Sequence, residues 1–193
     1  RADVAHLISG EQTREIPIDG RSYLQLLNII PGVSSNDSSS EFGTSFRADG
    51  QQINGLRKNF SAVTLDGSEN LDAGSNATQV NNVSIDAIEE FKVMTSVYAA
   101  EFGKAGGAQV NVVTKSGKNR FQGGFYGFVR DDRFDARNFL TGQKDALDFH
   151  NVGWTFSGPI GWPGFNSGRS KLFFFVAQEW KSLDSQVGLT RTN

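Results

Sequence analysis

Three kinds of stretch in this 193-residue chain carry residue types that could do chemistry. The first is glycine-rich. A phosphate-cradling loop needs G-x-x-x-x-G-K-[ST] after a strand, so that backbone N–H groups and the lysine surround the phosphates. "GQQING", Gly50 to Gly55, has the glycine spacing, but Leu56 and Arg57 stand where Lys and Ser/Thr are required. "GKAGGAQ", Gly103 to Gln109, places its lysine wrongly and opens onto a strand rather than a helix. The second stretch, Asp131, Asp132, Arg133, Asp135 and Arg137, holds carboxylates that acid–base catalysis could use. Its mixed charges in a turn after a strand read better as a solvated rim loop. The third, Glu89-Glu90, reads as a solvated helix end. His6 and His150 are far apart and read as surface or turn residues, since a metal site needs three or four convergent ligands. No spacing pairs a nucleophile with a base, so neither an enzyme nor a cofactor is expected.

Composition narrows the class further. The formal net charge of -2 offers no clustered basic face for nucleic acid. With no cysteine, disulfides and thiolate zinc sites are excluded. Four N-x-[ST] sequons, at Asn36, Asn59, Asn76 and Asn82, are expected by chance in so Asn- and Ser-rich a chain. No apolar run approaches the roughly 20 residues of a spanning helix, and the N-terminal "RADVAHLISGEQ" lacks a signal-peptide core. The missing initiator Met suggests a fragment or a processed product. None of this excludes a membrane, because β-barrel strands are short and only half apolar.

The elements that would position these residues fall into two textures. Ser22 can cap a short helix whose Tyr23, Leu26, Leu27 and Ile30 form one apolar stripe, ended by Pro31-Gly32. The segment before it is weakly patterned. Two short strands are expected between Phe46 and Asn70, one alternating from Asn59 to Leu65 before an Asp66-Gly67 turn. Ser84 or Asp86 can cap a second short helix bearing Ile85 and Ile88, followed by a strand through Phe91, Val93 and Thr95. Ala108, Val110, Val112 and Thr114 mark a half-buried strand.

From Arg120 the texture changes: 11 of the 16 Phe and all three Trp lie at or after Phe121. "RFQGGFYGFVR", "NVGWTFSG" and "KLFFFVAQEWKS" are strand candidates. Val152, Trp154 and Phe156 oppose Asn151, Gly153, Thr155 and Ser157; Leu172, Phe174, Val176 and Trp180 oppose Lys171, Phe173, Phe175, Glu179 and Lys181. Aromatics on one side and small polar groups on the other suit a sheet with lipid outside and water inside. A soluble β-sandwich has the same period, and pattern alone leaves both open. In the soluble alternative, an adhesin or carbohydrate-binding module, Trp154, Trp162 and Trp180 would be stacking platforms.

The stretch "LDGSEN … SIDAIEEFKVMTSVYAAEFGKAGGAQVNVVTKSG" resembles the plug domain of TonB-dependent outer-membrane receptors. Asp66-Gly67, Ile88-Glu89, Val93, Tyr98, Ala105, Gly106-Gly107, Val110-Asn111-Val112 and Thr114 occupy the family's signature places in order. Ala99 replaces the usual glycine after the tyrosine, and the usual "RGP" before it is absent. Both departures match the Oar-like subgroup, whose members usually carry a carboxypeptidase-regulatory-like domain ahead of the plug. That subgroup's string is followed almost throughout from Asp86 to Gly123.

The resemblance implies an α+β plug domain over 1–117, a short mixed β-sheet with short helices. Antiparallel strands beginning an incomplete transmembrane β-barrel would follow over 118–193. It implies a Gram-negative outer-membrane location, with the plug in the barrel lumen, and energy-coupled uptake of a siderophore, carbohydrate or peptide. TonB would engage a segment upstream of Arg1, and lipid would surround the complete barrel. Gly103, Gly106 and Gly107 would turn the plug apex through positive φ or close backbone approach, and Lys115-Ser116-Gly117 would be the plug's exit. The residues expected to meet an extracellular ligand are Glu69, Asn70, Asp72 and Asn76 after the Asp-Gly turn, and Tyr98, Glu101 and Lys104 in the glycine loop. "KLFFFVA", of high β propensity and without charge after Lys171, is an expected aggregation hazard while its sheet has an open edge.

Overall fold

The computed structural model describes residues 4–16, 18–35, 51–57, 60–74, 76, 79–96, 106–137, 146–162 and 164–186. The chain divides into two compact units, residues 1–116 and 117–193.

The first unit is built on a mixed five-stranded sheet. Its strands are β1 (Val4–Ser9), β4 (Ala62–Leu65), β5 (Ser68–Glu69), β6 (Ile88–Ser96) and β7 (Gln109–Thr114), in the order β1-β6-β7-β4-β5. Only β4 and β7 run parallel. A separate two-stranded ribbon pairs β2 (Val33–Ser35) with β3 (Gln51–Ile53). Alternation places Phe91, Val93, Val110 and Val112 in the core with Ile8 and Val63. Asp66 and Gly67 both take positive φ (49° and 82°), the conformation a two-residue hairpin turn requires. The Asp66 carboxylate then accepts bonds from the Thr114 amide and hydroxyl, 2.8 Å each, tying this hairpin to β7.

Helical structure departs from expectation. The Tyr23–Ile29 segment is a 3₁₀ helix, and Ser22 makes no side-chain cap. The expected stripe of Tyr23, Leu26, Leu27 and Ile30 is buried all the same, and Leu24 joins it. Core packing, not helix propensity, holds this segment. The second expected helix is a single 3₁₀ turn, Ile85–Ala87, capped by Ser84. Glu89 and Glu90 lie within β6 rather than at a helix end, at a register shift between Ile88 and Glu90. The weakly patterned N-terminal segment is in fact β1 and the one α-helix among the described residues, α1 (Gly10–Glu15). A Ser9–Gln12 capping box starts it. Gly10 is required there, because a Cβ would sit 2.4 Å from the Ile88 carbonyl oxygen. Likewise β4 begins at Ala62, three residues later than its alternation suggested.

The second unit is an antiparallel sheet of β8 (Gln122–Asp131), β9 (Ala146–Pro159) and β10 (Phe173–Gln186), with β9 central. β9 starts five residues earlier than its aromatic pattern indicated. At about 3.4 Å per residue, 14-residue strands span roughly 47 Å, enough to cross a ~30 Å hydrocarbon core at a steep tilt. The register puts Phe125 beside Trp154, Val152 beside Trp180 and Phe156 beside Val176, all on one face. Phe121, Phe156 and Phe174 cluster on that face, with ring centroids 5.4–6.4 Å apart. The opposite face carries Tyr126, Thr155, Ser157, Glu179 and Lys181. There the Tyr126 hydroxyl donates to Glu179 (3.0 Å), which also pairs with Lys181 (3.0 Å).

Candidate functional site

The polar loop residues after the Asp-Gly turn separate into distinct environments. Glu69 closes β5 opposite Thr64 and is exposed. Asn70, one residue on, is 1% exposed. Its Nδ2 donates to the Tyr23 hydroxyl (3.1 Å) and to the Asn81 carbonyl (2.8 Å), and its Oδ1 accepts from the Asn81 amide (2.8 Å). Tyr23 in turn donates to Gln79. Asn70 thus has its side chain committed inside the fold, closing the 70–81 loop against the 3₁₀ segment. Burial pushes the Tyr23 hydroxyl up from 10.0 to about 12, against a smaller downward pull from the Asn70 bond. Each unpaired buried member of such a network costs about 1–3 kcal/mol; here the Asn70 amide and the Tyr23 hydroxyl are paired, while Gln79 Nε2 is buried without a partner among the described residues.

Asp72 and Asn76 are half-buried in one turn, where the Asn76 amide donates to the Asp72 carbonyl at 3.2 Å. Asn76 takes positive φ (51°), and its side chain reaches the Ser61 carbonyl (3.3 Å). The glycine loop arrives at the neighbouring residue from the other side: Gly106 and Gly107 both donate to the Phe60 carbonyl, at 2.8 and 2.9 Å. Neither needs positive φ; Gly107 is a close approach, since a Cβ would lie 3.0 Å from the Ser61 hydroxyl. The turn bearing Asn76 and the end of the glycine loop therefore converge on Phe60-Ser61, at the N-terminal ends of β4 and β7. Glu69 lies toward the opposite end of β4. Tyr98, Glu101, Lys104 and Gly103 lie outside the described residues.

Phe60 and Leu56, which sequence reasoning did not select, flank this convergence. Phe60 is 48% exposed, and Gly106 packs beside both side chains. The only signal was a large aromatic within an apparent strand pattern, too weak to distinguish a residue that anchors two loops from a sheet residue.

The acidic segment after β8 is a structured turn. Asp131 caps the Arg133 amide at 2.8 Å, and Arg130 pairs with Asp135 at 3.2 Å. His150 pairs with Asp148 at 2.8 Å on an exposed strand surface. Among the described residues no group of three or more His, Cys, Asp or Glu could hold a metal, and no helix is long and apolar enough to cross a membrane.

Residues 4–110 match the family described as TonB-dependent Receptor Plug Domain. The chain belongs to the TonB-dependent receptors. The family of outer membrane beta barrel domains matches residues 113–193, so β8–β10 are wall strands of an outer-membrane barrel. The TonB-dependent transporter Oar of Myxococcus xanthus is 29% identical over 165 residues, covering 81% of this chain and 14% of that protein. Among solved receptors, the siderophore receptor PirA of Pseudomonas aeruginosa aligns with a TM-score of 0.65 at 19% identity, covering 95% of this chain and 28% of its own. The ferric enterobactin receptor PfeA of the same organism aligns at 0.63 and 18% identity, covering 93% and 25%. At those identities the likeness is one of fold. This chain thus spans 14% of that transporter and 25–28% of these solved receptors, and the family is one of receptors and transporters rather than enzymes. A soluble binding module is not favoured.

Proposed function

We propose that this chain is the plug and barrel start of a receptor for energy-coupled uptake across the outer membrane. No covalent chemistry is assigned to it, and 1–117 and 118–193 are its functional divisions. The observation that carries the reading is the convergence on Phe60-Ser61. Two loops from different parts of the chain share one anchoring dipeptide, so displacing either loop must disturb the other. Such a coupled patch suits ligand sensing. The ligand-facing residues are assigned as Asp72, Asn76 and Phe60, with Tyr98, Glu101 and Lys104 from the adjoining loop. Glu69 is assigned a lesser share, and Asn70 holds the loop from within. Siderophore, carbohydrate and peptide remain the ligand classes, and TonB the energy-coupling partner.

The test uses the exposed Ala73. This chain has no cysteine, so Ala73→Cys in the full-length receptor gives one site here for a fluorescent maleimide on intact cells. Ferric siderophores, oligosaccharides and peptides are added in turn. One class is expected to change the fluorescence, with recovery only in cells that retain TonB. Silence toward all three, or recovery without TonB, would overturn the reading.

A further inference from the structure

The connection between β9 and β10, residues 160–172, is a loop pinned by one of its own side chains and free of acidic residues. Asn166 is 5% exposed and takes φ +52°. Its Nδ2 donates to the carbonyls of Ile160 (2.6 Å) and Leu172 (3.0 Å), and its Oδ1 accepts from the amides of Ser170 and Lys171 (2.8 Å each). One side chain therefore pins both ends of the loop. Trp162 and Phe165 exchange backbone hydrogen bonds and stack with ring centroids 4.5 Å apart. Beside them a pocket of about 380 Å³ is lined by Phe121, Trp162, Phe165, Asn166, Ser167 and Arg169, among others. Phe121 belongs to the exposed apolar face of the sheet, so the pocket opens where that face ends.

The charges at the two ends of the sheet differ. Residues 160–172 contain Arg169 and Lys171 and no acidic residue. At the other end, Asp131, Asp148 and Asp184 stand opposite one another in adjacent strands, with Asp132 and Asp135 following; Arg130, Arg133 and His150 pair there with Asp135, Asp131 and Asp148, so charge at that end is mixed whereas the loop is wholly basic. Arg169 is itself held at φ +52°, a conformation glycine would adopt without cost. An aromatic pair, a cation and an apolar wall together match a lipid at the membrane interface: rings at head-group depth, guanidinium to phosphate, acyl chain along the wall.

We propose that this pocket binds the head group of an anionic phospholipid. Arg169 contacts the phosphate, Lys171 adds to the field, and the acyl chains lie along Phe121, Phe156 and Phe174. The proposal rests on the barrel reading above.

The test is native mass spectrometry of the full-length receptor with an equimolar mixture of phosphatidylglycerol and phosphatidylcholine. Phosphatidylglycerol should be retained in excess. Arg169→Gly should cut the excess roughly fivefold, the factor associated with one cation at a membrane surface. It should not lower Tm, because glycine accepts the backbone conformation. Arg169→Lys should keep most of the excess. An Arg169→Gly protein with unchanged preference would overturn the proposal. So would loss of the preference in 10 mM inorganic phosphate, which would mark a site for soluble anions. Retention of neither lipid, or equal retention of both, would overturn the pocket alone, whereas recovery of the receptor outside the outer membrane would remove the barrel reading itself.

Discussion

The plug sheet and the barrel sheet use the same two-residue period and bury opposite things. In the plug, Val93 and Val110 are wholly buried, and the polar residues between them face outward or pair internally. In the barrel sheet, Phe125 is 77% and Trp180 57% exposed, while Asn151 and Ser157 on the other face are buried. A sheet in water cannot keep a continuous aromatic face exposed at so little polar compensation. The barrel sheet is therefore matched to lipid, whereas the plug is matched to an aqueous or protein surround. One chain folds for two solvents, and the change falls within a few residues of Gly117.

This contrast can be broken most severely by cutting the chain. A protein ending at Lys118 should stay soluble without detergent, while one ending at Asn193 should aggregate. The latter exposes the unpaired edge of β10, with Phe173 to Val176 on it. Equal solubility by sedimentation would show that the exposed aromatic face is not lipid-matched.

A single charge should sharpen the contrast. Val152→Arg places a cation on the outer face near mid-strand and should cost about 2–4 kcal/mol of barrel stability in lipid. Thr155→Arg, on the other face, should leave assembly intact. Urea titration of the full-length receptor in vesicles compares them, and equal losses would remove the distinction between faces.

The smallest expected effect concerns the plug interior. The Tyr23 hydroxyl is raised from 10.0 to about 12, so its contribution is complete below pH 10 and is lost as pH rises toward 12. By pH 11 the loss should reach roughly 1 kcal/mol. Tyrosinate absorbance of the receptor, less that of Tyr23→Phe, should titrate near 12. A midpoint near 10 would mean that this hydroxyl is in water.

Much of this was legible before any coordinates. β7 and β10 follow alternations visible in the residues, β8 falls within its aromatic- and glycine-rich strand candidate, and the Asp66-Gly67 turn is written in its dipeptide. β1 and α1 were not legible. Among the described side chains of β1, Ile8 alone joins the core and Leu7 is 60% exposed, so β1 depends on pairing with β6. The candidate site was legible as a set of polar loops and no further. Asn70 looks no different from Asn76 along the chain. It is Tyr23, 47 residues away, that draws Asn70 inward. Phe60 likewise looked like a strand residue until the glycine loop was seen to meet its carbonyl.

The sequence by itself determined the family, through the spaced signature from Asp66 to Thr114, and the two textures on either side of Gly117. These depend on local period and composition, which neighbouring residues express without help. Only the tertiary structure decided the parallel pairing of β4 with β7, the 3₁₀ form of the Tyr23 segment, and which loop asparagine is structural. Each of those depends on a partner dozens of residues away, and the energy of such a contact is absent from any local window of the chain.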